Sequence, residues 1–247
     1  MYYLTETTIY PINFTLEEWD TLPLEDITFL NFVGNQLTEL PNLDRCINLR
    51  TLLCCNNNLI KLPNLDNLIY LEEILCQYNQ LIELPNLDKL INLEILNCHN
   101  NNLIILPNLD RCVNLRVLNC EYNQLSVLPN LDEQTYLEKL FCSYNQLTHL
   151  PNLDKLVNLI ELQCFHNQLT VFPNIEKLIK LEDLWCHTNK YISVPLYIRH
   201  CKKLYKYNLK YNIPDYQYIK DLPYLVNKEI EKYYYKLVLD YYNSKYL

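Results

Sequence analysis

The sequence predicts an α/β solenoid, a stack of near-identical units whose short strands lie parallel in one sheet. Three observations lead there. First, a frame of constant length begins at Ile27, Leu49, Leu71, Leu93, Leu115, Leu137, Leu159 and Leu181, with proline on the same beat from Pro41 to Pro195. A fixed period in this range marks a solenoid. Second, each frame opens on alternation, as in Lys139-Leu140-Phe141-Cys142-Ser143, where Leu140 and Cys142 point one way and the others the opposite way. That is a strand with one buried face. Third, one such strand cannot bury its face alone, so the units must stack, with neighbouring strands about 4.8 Å apart.

Numbering each frame from its first residue, leucines hold places 1, 4, 11, 14, 17 and 20. Place 9 is asparagine in every unit, from Asn35 to Asn189. It stands where the strand ends and the chain turns inward. Its amide donates and accepts, so a column of asparagines can pair the turning backbone, and no binding role is assigned to it. Pro-Asn follows at places 15 and 16, then an acidic residue at place 18, Asp44 to Asp154 and Glu176. Asp is a strong helix N-cap, which predicts short 3₁₀ or irregular segments on the outer face. The fifth unit is the weakest, because Gln134 replaces the leucine of place 20.

This frame, LxxLxLxxNxLxxLxxLxxLxx, resembles the leucine-rich-repeat superfamily, in its 22-residue subclass, from roughly Ile27 to Asn212. The resemblance implies a curved, right-handed, horseshoe-like solenoid with the parallel sheet on the concave side. It also implies a partner protein held on that side. The departure is place 6, where cysteine stands for the usual leucine. Alanine is absent and Gly34 is the one glycine, while Asn, Ile, Leu, Lys and Tyr are abundant. That bias, with the cysteine-bearing repeats, resembles the leucine-rich-repeat proteins of giant DNA viruses, mimivirus in particular.

Three regions follow. Residues 1–26 are the N-terminal cap, with an edge strand expected over Thr5 to Ile9. Thr15-Leu16-Glu17-Glu18 has capping-box form and predicts a short helix through Trp19. Residues 27–214 are the solenoid, eight full units and a partial ninth. Residues 215–247 are a C-terminal helical cap, with Leu222, Leu225, Val226, Ile230, Tyr233, Tyr234, Leu237 and Tyr241 at helical spacing. Both ends need covering, because a terminal unit otherwise exposes its leucines.

The net charge of −8 divides into +5 from Arg199 onward and −13 before it. An acidic body disfavours nucleic acid and suits a basic partner. The basic, tyrosine-rich tail is read as a helix packed over the last unit rather than a nucleic-acid surface. The N-terminus lacks a basic start and an unbroken apolar core, and no apolar run reaches about 18 residues. The expectation is a soluble, non-secreted protein of a reducing compartment (the host cytoplasm if viral), monomeric and off the membrane.

Cys54, Cys76, Cys98, Cys120, Cys142, Cys164 and Cys186 form one column at place 6, flanked by Phe32 and Leu209. They are expected to be buried, reduced and inert. In-register side chains lack the crossed geometry of disulfides, and a straight column does not converge on a metal. Cys46 and Cys112 replace leucine at place 20, and Cys201 does so in the eighth unit, which runs one residue longer. Cys55, at place 7, is expected on the concave surface. His99 and His187 share place 7 four units apart, and His166 and His187, on adjacent units, lack a third ligand, so no metal and no cofactor is expected. One glycine leaves no phosphate-cradling loop or nucleophile elbow, and no catalytic residue is assigned.

Places 3, 5, 7 and 8 face outward on the concave side. Large aromatics gather there on units six to eight as Phe141, Tyr144, Phe165, His166, Trp185 and His187, with Glu138, Glu161, Glu182 and Asp183 around them. Aromatics ringed by charge have the composition of an interface hot spot. They also have the composition of cross-rung packing that stabilises the sheet, and both readings stand. The sequence therefore points to a non-catalytic protein-binding scaffold. The alternatives are a structural or self-assembling protein and, third, a cysteine-based metal or redox sink.

Overall fold

The computed structural model describes residues 2–5, 8–11, 19, 21–171, 174–186 and 188–190. Their strands form one ten-stranded sheet in sequence order. The first two, β1 (Tyr2–Thr5) and β2 (Thr8–Pro11), are an antiparallel hairpin. The others are parallel: β3 (Phe29–Asn31), β4 (Thr51–Leu53), β5 (Glu73–Leu75), β6 (Ile95–Asn97), β7 (Val117–Asn119), β8 (Lys139–Phe141), β9 (Glu161–Gln163) and β10 (Asp183–Trp185). Each is three residues long with its middle residue buried, as alternation at places 3 to 5 requires. Register is strict, Leu52 pairing with Ile74 and Leu118 with Leu140.

Under the sheet the leucines close one continuous core, from Leu30 and Leu43 to Leu178 and Leu184. The return path is a pair of consecutive i→i+3 turns. In the second unit Leu68 N–H donates to Leu65 O and Leu71 N–H to Leu68 O, both at 2.9 Å. These irregular segments match the expectation. Their cap does not. The side chain that closes the turn is the place-16 asparagine, not the acidic residue. Asn42 Oδ1 accepts the Asp44 amide at 2.7 Å, and Asn108 Oδ1 the Asp110 amide at 3.0 Å. Proline at place 15 fixes φ ahead of an Asx turn, where asparagine bonds its own backbone two residues on.

The place-9 asparagines pair the turns as their chemistry suggested. Asn101 Oδ1 accepts the Leu81 amide at 2.9 Å, while its Nδ2 donates to the carbonyls of Cys76 (3.1 Å) and Cys98 (3.0 Å). The same pattern holds at Asn57, Asn123, Asn145 and Asn167. A second asparagine series, at place 22, was not read from the sequence. Asn92, Asn114 and Asn158 each donate to the preceding unit's backbone, at Ile69, Ile91 and Thr135.

At the N-terminal end the expected edge strand over Thr5 to Ile9 is replaced by the β1–β2 hairpin, whose second strand pairs with β3. The hairpin supplies the edge strand with its own partner, which a single four-residue strand would lack. Trp19 has helical backbone, but residues 12–18 and 20, where the rest of that helix was expected, lie outside the described residues. Trp19 is buried, its Nε1 donates to Asn42 O at 2.9 Å, and its ring meets Phe32 at 5.9 Å. Phe32 thus ends the cysteine column and Trp19 covers Phe32. A short 3₁₀ turn, Leu24–Asp26, leads into the first unit. The C-terminal helical cap and the units beyond Lys190 lie outside the described residues.

Candidate functional site

The seven place-6 cysteines are buried thiols in one column. Burial pushes Cys54, Cys76, Cys98 and Cys142 well above the ordinary thiol range, and each feels a neighbouring thiol of the column. Cys46 and Cys112, at place 20, are pushed up to about 12 by the same desolvation. A thiol held this high is not a nucleophile at neutral pH. Cys55 corrects an expectation. It was placed on the open surface, and only 8% of it is exposed. Its short side chain stands between Val33 and Gln77 in the same column, and burial raises its thiol too, partly offset by hydrogen bonds at Cys55 and Asn56. Among the described residues no three His, Cys, Asp or Glu converge on a point that would hold a metal.

The outward sheet face carries a feature that the sequence reading missed. Place 8 has a left-handed backbone in every described unit: Gly34 (φ 71°), Asn56, Tyr78, Asn100, Tyr122 (50°), Tyr144 (53°), His166 (50°) and Thr188. For a residue with a Cβ this conformation costs roughly 1–2 kcal/mol. The signal was available, since the chain's one glycine sits at place 8 of the first unit and asparagine at place 8 of the second and fourth.

The aromatic side chains on this face touch one another. Tyr122 and Tyr144 stack at 4.1 Å, and Tyr144 and His166 at 4.4 Å. Phe165 meets Tyr144 edge-on at 5.2 Å, His166 at 5.6 Å and Trp185 at 6.4 Å. Tyr144, Phe165, His166 and Trp185 are therefore one cluster, and Tyr122 extends it. Phe141 stands apart from these ring contacts among the described residues. Its rung neighbours are Asn119 and Gln163, so Gln163 separates it from Trp185. His187 lies outside the described residues. Phe141, Tyr144, Phe165 and Trp185 are partly buried and His166 is exposed. The acidic border is braced by cations, with Arg116 to Glu138 at 2.6 Å and Lys139 to Glu161 at 3.8 Å.

In the place-7 column the middle of the sheet is polar: Gln77, His99, Glu121 and Ser143 on successive rungs. Burial pushes the Glu121 carboxyl up, the Ser143 hydroxyl nearby partly offsets this, and Glu161 adds to the rise. Burial holds the His99 imidazole below its ordinary range.

No family model and no curated protein sequence matches this chain. Solved structures do. The functional domain of InlJ from Listeria monocytogenes, whose structure is described as including a cysteine ladder, is 28% identical over 70% of this chain and 37% of that one, with a TM-score of 0.65. A leucine-rich-repeat protein of Leptospira interrogans is 26% identical over 77% of this chain and 57% of its own, with a TM-score of 0.58. YopM from Yersinia enterocolitica is 30% identical over 69% of this chain and 35% of its own, with a TM-score of 0.56. This chain spans between about a third and three fifths of the length of those neighbours. No helix among the described residues is long and apolar enough to cross a membrane. With its strict parallel register, its asparagine series and these neighbours, the solenoid matches the architecture of the leucine-rich-repeat proteins.

Proposed function

We propose that this chain is a non-catalytic scaffold that binds a protein on the concave, outward face of its sheet, at the aromatic cluster of the sixth to eighth units. One observation supports the reading above the others. Tyr144, Phe165, His166 and Trp185 form a connected aromatic surface, the first three on the segments just after β8 and β9 and Trp185 at the end of β10, where the repeat itself requires no large side chain. Partly desolvated aromatics within a charged border are the usual anchors of protein interfaces. The border is mainly acidic, which favours a basic partner and disfavours nucleic acid. The 22-residue subclass, a viral source and a reducing compartment such as a host cytoplasm belong to the same proposal, the last supported by ten buried thiols. The test is affinity capture from the source cell followed by substitution. Replacing Phe165 and Trp185 by alanine should abolish binding of the captured partner, whereas replacing Asn31, Thr51 and Leu53 at the other end should not. Equal binding by both sets would remove the cluster from the site.

A second reading, self-assembly, is favoured by aliphatic side chains along the flank. Ile60, Ile82 and Ile104 are 55–62% exposed on consecutive units. Sedimentation separates the two, since a monomer at high concentration is incompatible with assembly through that row.

A further inference from the structure

The sheet face holds a run of polar groups that neither the repeat nor the aromatic cluster uses. Place 7 accommodates Val33, Cys55 and Phe165, so nothing in the fold requires polar residues there. Yet four consecutive rungs carry Gln77, His99, Glu121 and Ser143. Ser143 is fully buried. Gln77 Oε1, His99 Nε2 and Ser143 Oγ are shielded from solvent without a hydrogen bond of good geometry, although the Ser143 hydroxyl lies near enough to Glu121 to influence it. Each buried polar atom left unpaired costs about 1–3 kcal/mol, and native proteins carry few of them. Three on four adjacent rungs, around a half-buried carboxylate, have the form of a site awaiting a donor.

The chemistry of that donor follows from the groups. Gln77 Oε1 and the Glu121 carboxylate only accept, and His99 Nε2 accepts when its proton sits on Nδ1. Glu161 adds negative charge nearby. An anion is therefore repelled, and a metal lacks converging ligands among the described residues. Tyrosine rings run along one side of the track. Tyr78 meets His99 edge-on at 4.7 Å, and the Tyr122–Tyr144 stack continues alongside. Aromatic faces beside a carboxylate suit a planar cation with several N–H groups, and a guanidinium matches that description better than an ammonium. Gln77 and His99 are partly exposed, so rotation about their own side-chain bonds brings the shielded atoms to the surface, a common change at interfaces.

We propose that the track from Gln77 to Ser143 is a subsite for an arginine side chain of the partner protein, with Glu121 as its counter-ion and Tyr122 as its stacking wall. This rests on the reading of the sheet face as a protein-binding surface. It adds a specificity pocket beside the aromatic cluster, three rungs nearer the N-terminus at its far end.

The test uses the whole chain and a blocked Gly-Gly-Arg-Gly-Gly peptide, titrated by NMR while the imidazole resonances of His99 are followed. Those resonances are assigned by their loss in His99→Gln. The matched citrulline peptide is the neutral control. The arginine peptide should shift His99 and the citrulline peptide should not. Glu121→Gln should weaken the arginine peptide about tenfold, and Thr51→Ala, on a strand outside both the track and the aromatic cluster, should leave it unchanged. Glu121→Asp, which keeps the charge, should retain measurable binding if the glutamine variant is compromised in folding. Equal binding of the two peptides, or no shift at His99 with millimolar arginine peptide, overturns the subsite. Neither outcome touches the aromatic cluster, which is judged separately by partner binding in the Phe165 and Trp185 variants.

Discussion

Tyr122 and Tyr144 stack with ring centroids 4.1 Å apart and planes 12° from parallel, and both hold positive φ, at 50° and 53°. The backbone strain and the ring contact belong to the same residues. An aromatic pair contributes about 0.5–1.5 kcal/mol beyond its burial, comparable to the strain of one left-handed residue. Truncation at Tyr144 should therefore reverse the usual order of small residues. Tyr144→Ala loses the stack and keeps the strain, whereas Tyr144→Gly loses both. The glycine variant should be the more stable of the two by about 1 kcal/mol in urea denaturation. An alanine variant as stable as glycine would mean that the turn relaxes out of the left-handed region.

Gln134 is fully buried in the row otherwise held by leucine and cysteine. Its Nε2 donates to Leu109 O at 2.7 Å, while its Oε1 has no partner. The Leu109 carbonyl also accepts the Cys112 amide at 2.8 Å, so it stays paired without Gln134. Gln134→Leu removes an unsatisfied acceptor at nearly constant volume. Stability should rise by about 1–2 kcal/mol in chemical denaturation. A loss of stability would show that the bond to Leu109 outweighs the orphaned oxygen.

Most of the fold was legible because leucine and cysteine carry it. Their places repeat without insertion through the first seven units, and period-two alternation identifies which residues face inward. Asparagine at place 9 was legible for the same reason, since a polar residue at a turn into the core must pair with backbone. The place-16 asparagine was harder to read. An aspartate two residues later is an equally plausible cap, and only the Asn42–Asp44 contact decides between them. The left-handed place 8 was obscured because tyrosine occupies it in three units, and tyrosine is not a left-handed marker. In the candidate site the sequence put Tyr144, Phe165, His166 and Trp185 on one face, and ring contacts join these four. It could not show that Phe141 lies off the ring contacts, because that depends on which way neighbouring rings turn. The thiol of Cys55 was misjudged since facing outward is not the same as being exposed when the side chain is short.

Glu121 sets a pH dependence whose sign is fixed. Its folded carboxyl is raised, first by burial, with Glu161 adding and Ser143 opposing. The folded state then binds its proton more tightly than the unfolded state. The ionisation penalty is absent below the ordinary carboxylate range, grows as pH rises through it, and is complete above the raised folded value. Glu121→Gln should be stabilising at pH 7, and that gain should vanish near pH 4. His99, lowered by burial, acts in the other direction, destabilising the fold as pH falls below the ordinary imidazole range. His99→Gln should flatten stability between neutral and mildly acid pH. Denaturation curves of both variants across this range check the two signs.

The cysteine column should be silent toward reagents in the folded protein. The place-6 thiols are at most 5% exposed, and Cys55 is 8% exposed. With an aromatic disulfide reagent at neutral pH, the ten described thiols should react only on the timescale of opening, Cys55 first, and promptly in denaturant. Rapid reaction of several place-6 thiols in the native state would contradict a closed core.

The central claim is that a protein binds at the aromatic cluster on the sheet face. Hydrogen exchange of the full chain, with and without its captured partner, tests this most directly. Slowed exchange should concentrate on residues 139–145, 161–167 and 183–186, with no change at residues 29–33 or around Ile60, Ile82 and Ile104. Protection confined to that isoleucine flank, with the segments around Tyr144, Phe165 and Trp185 unaffected, would contradict it.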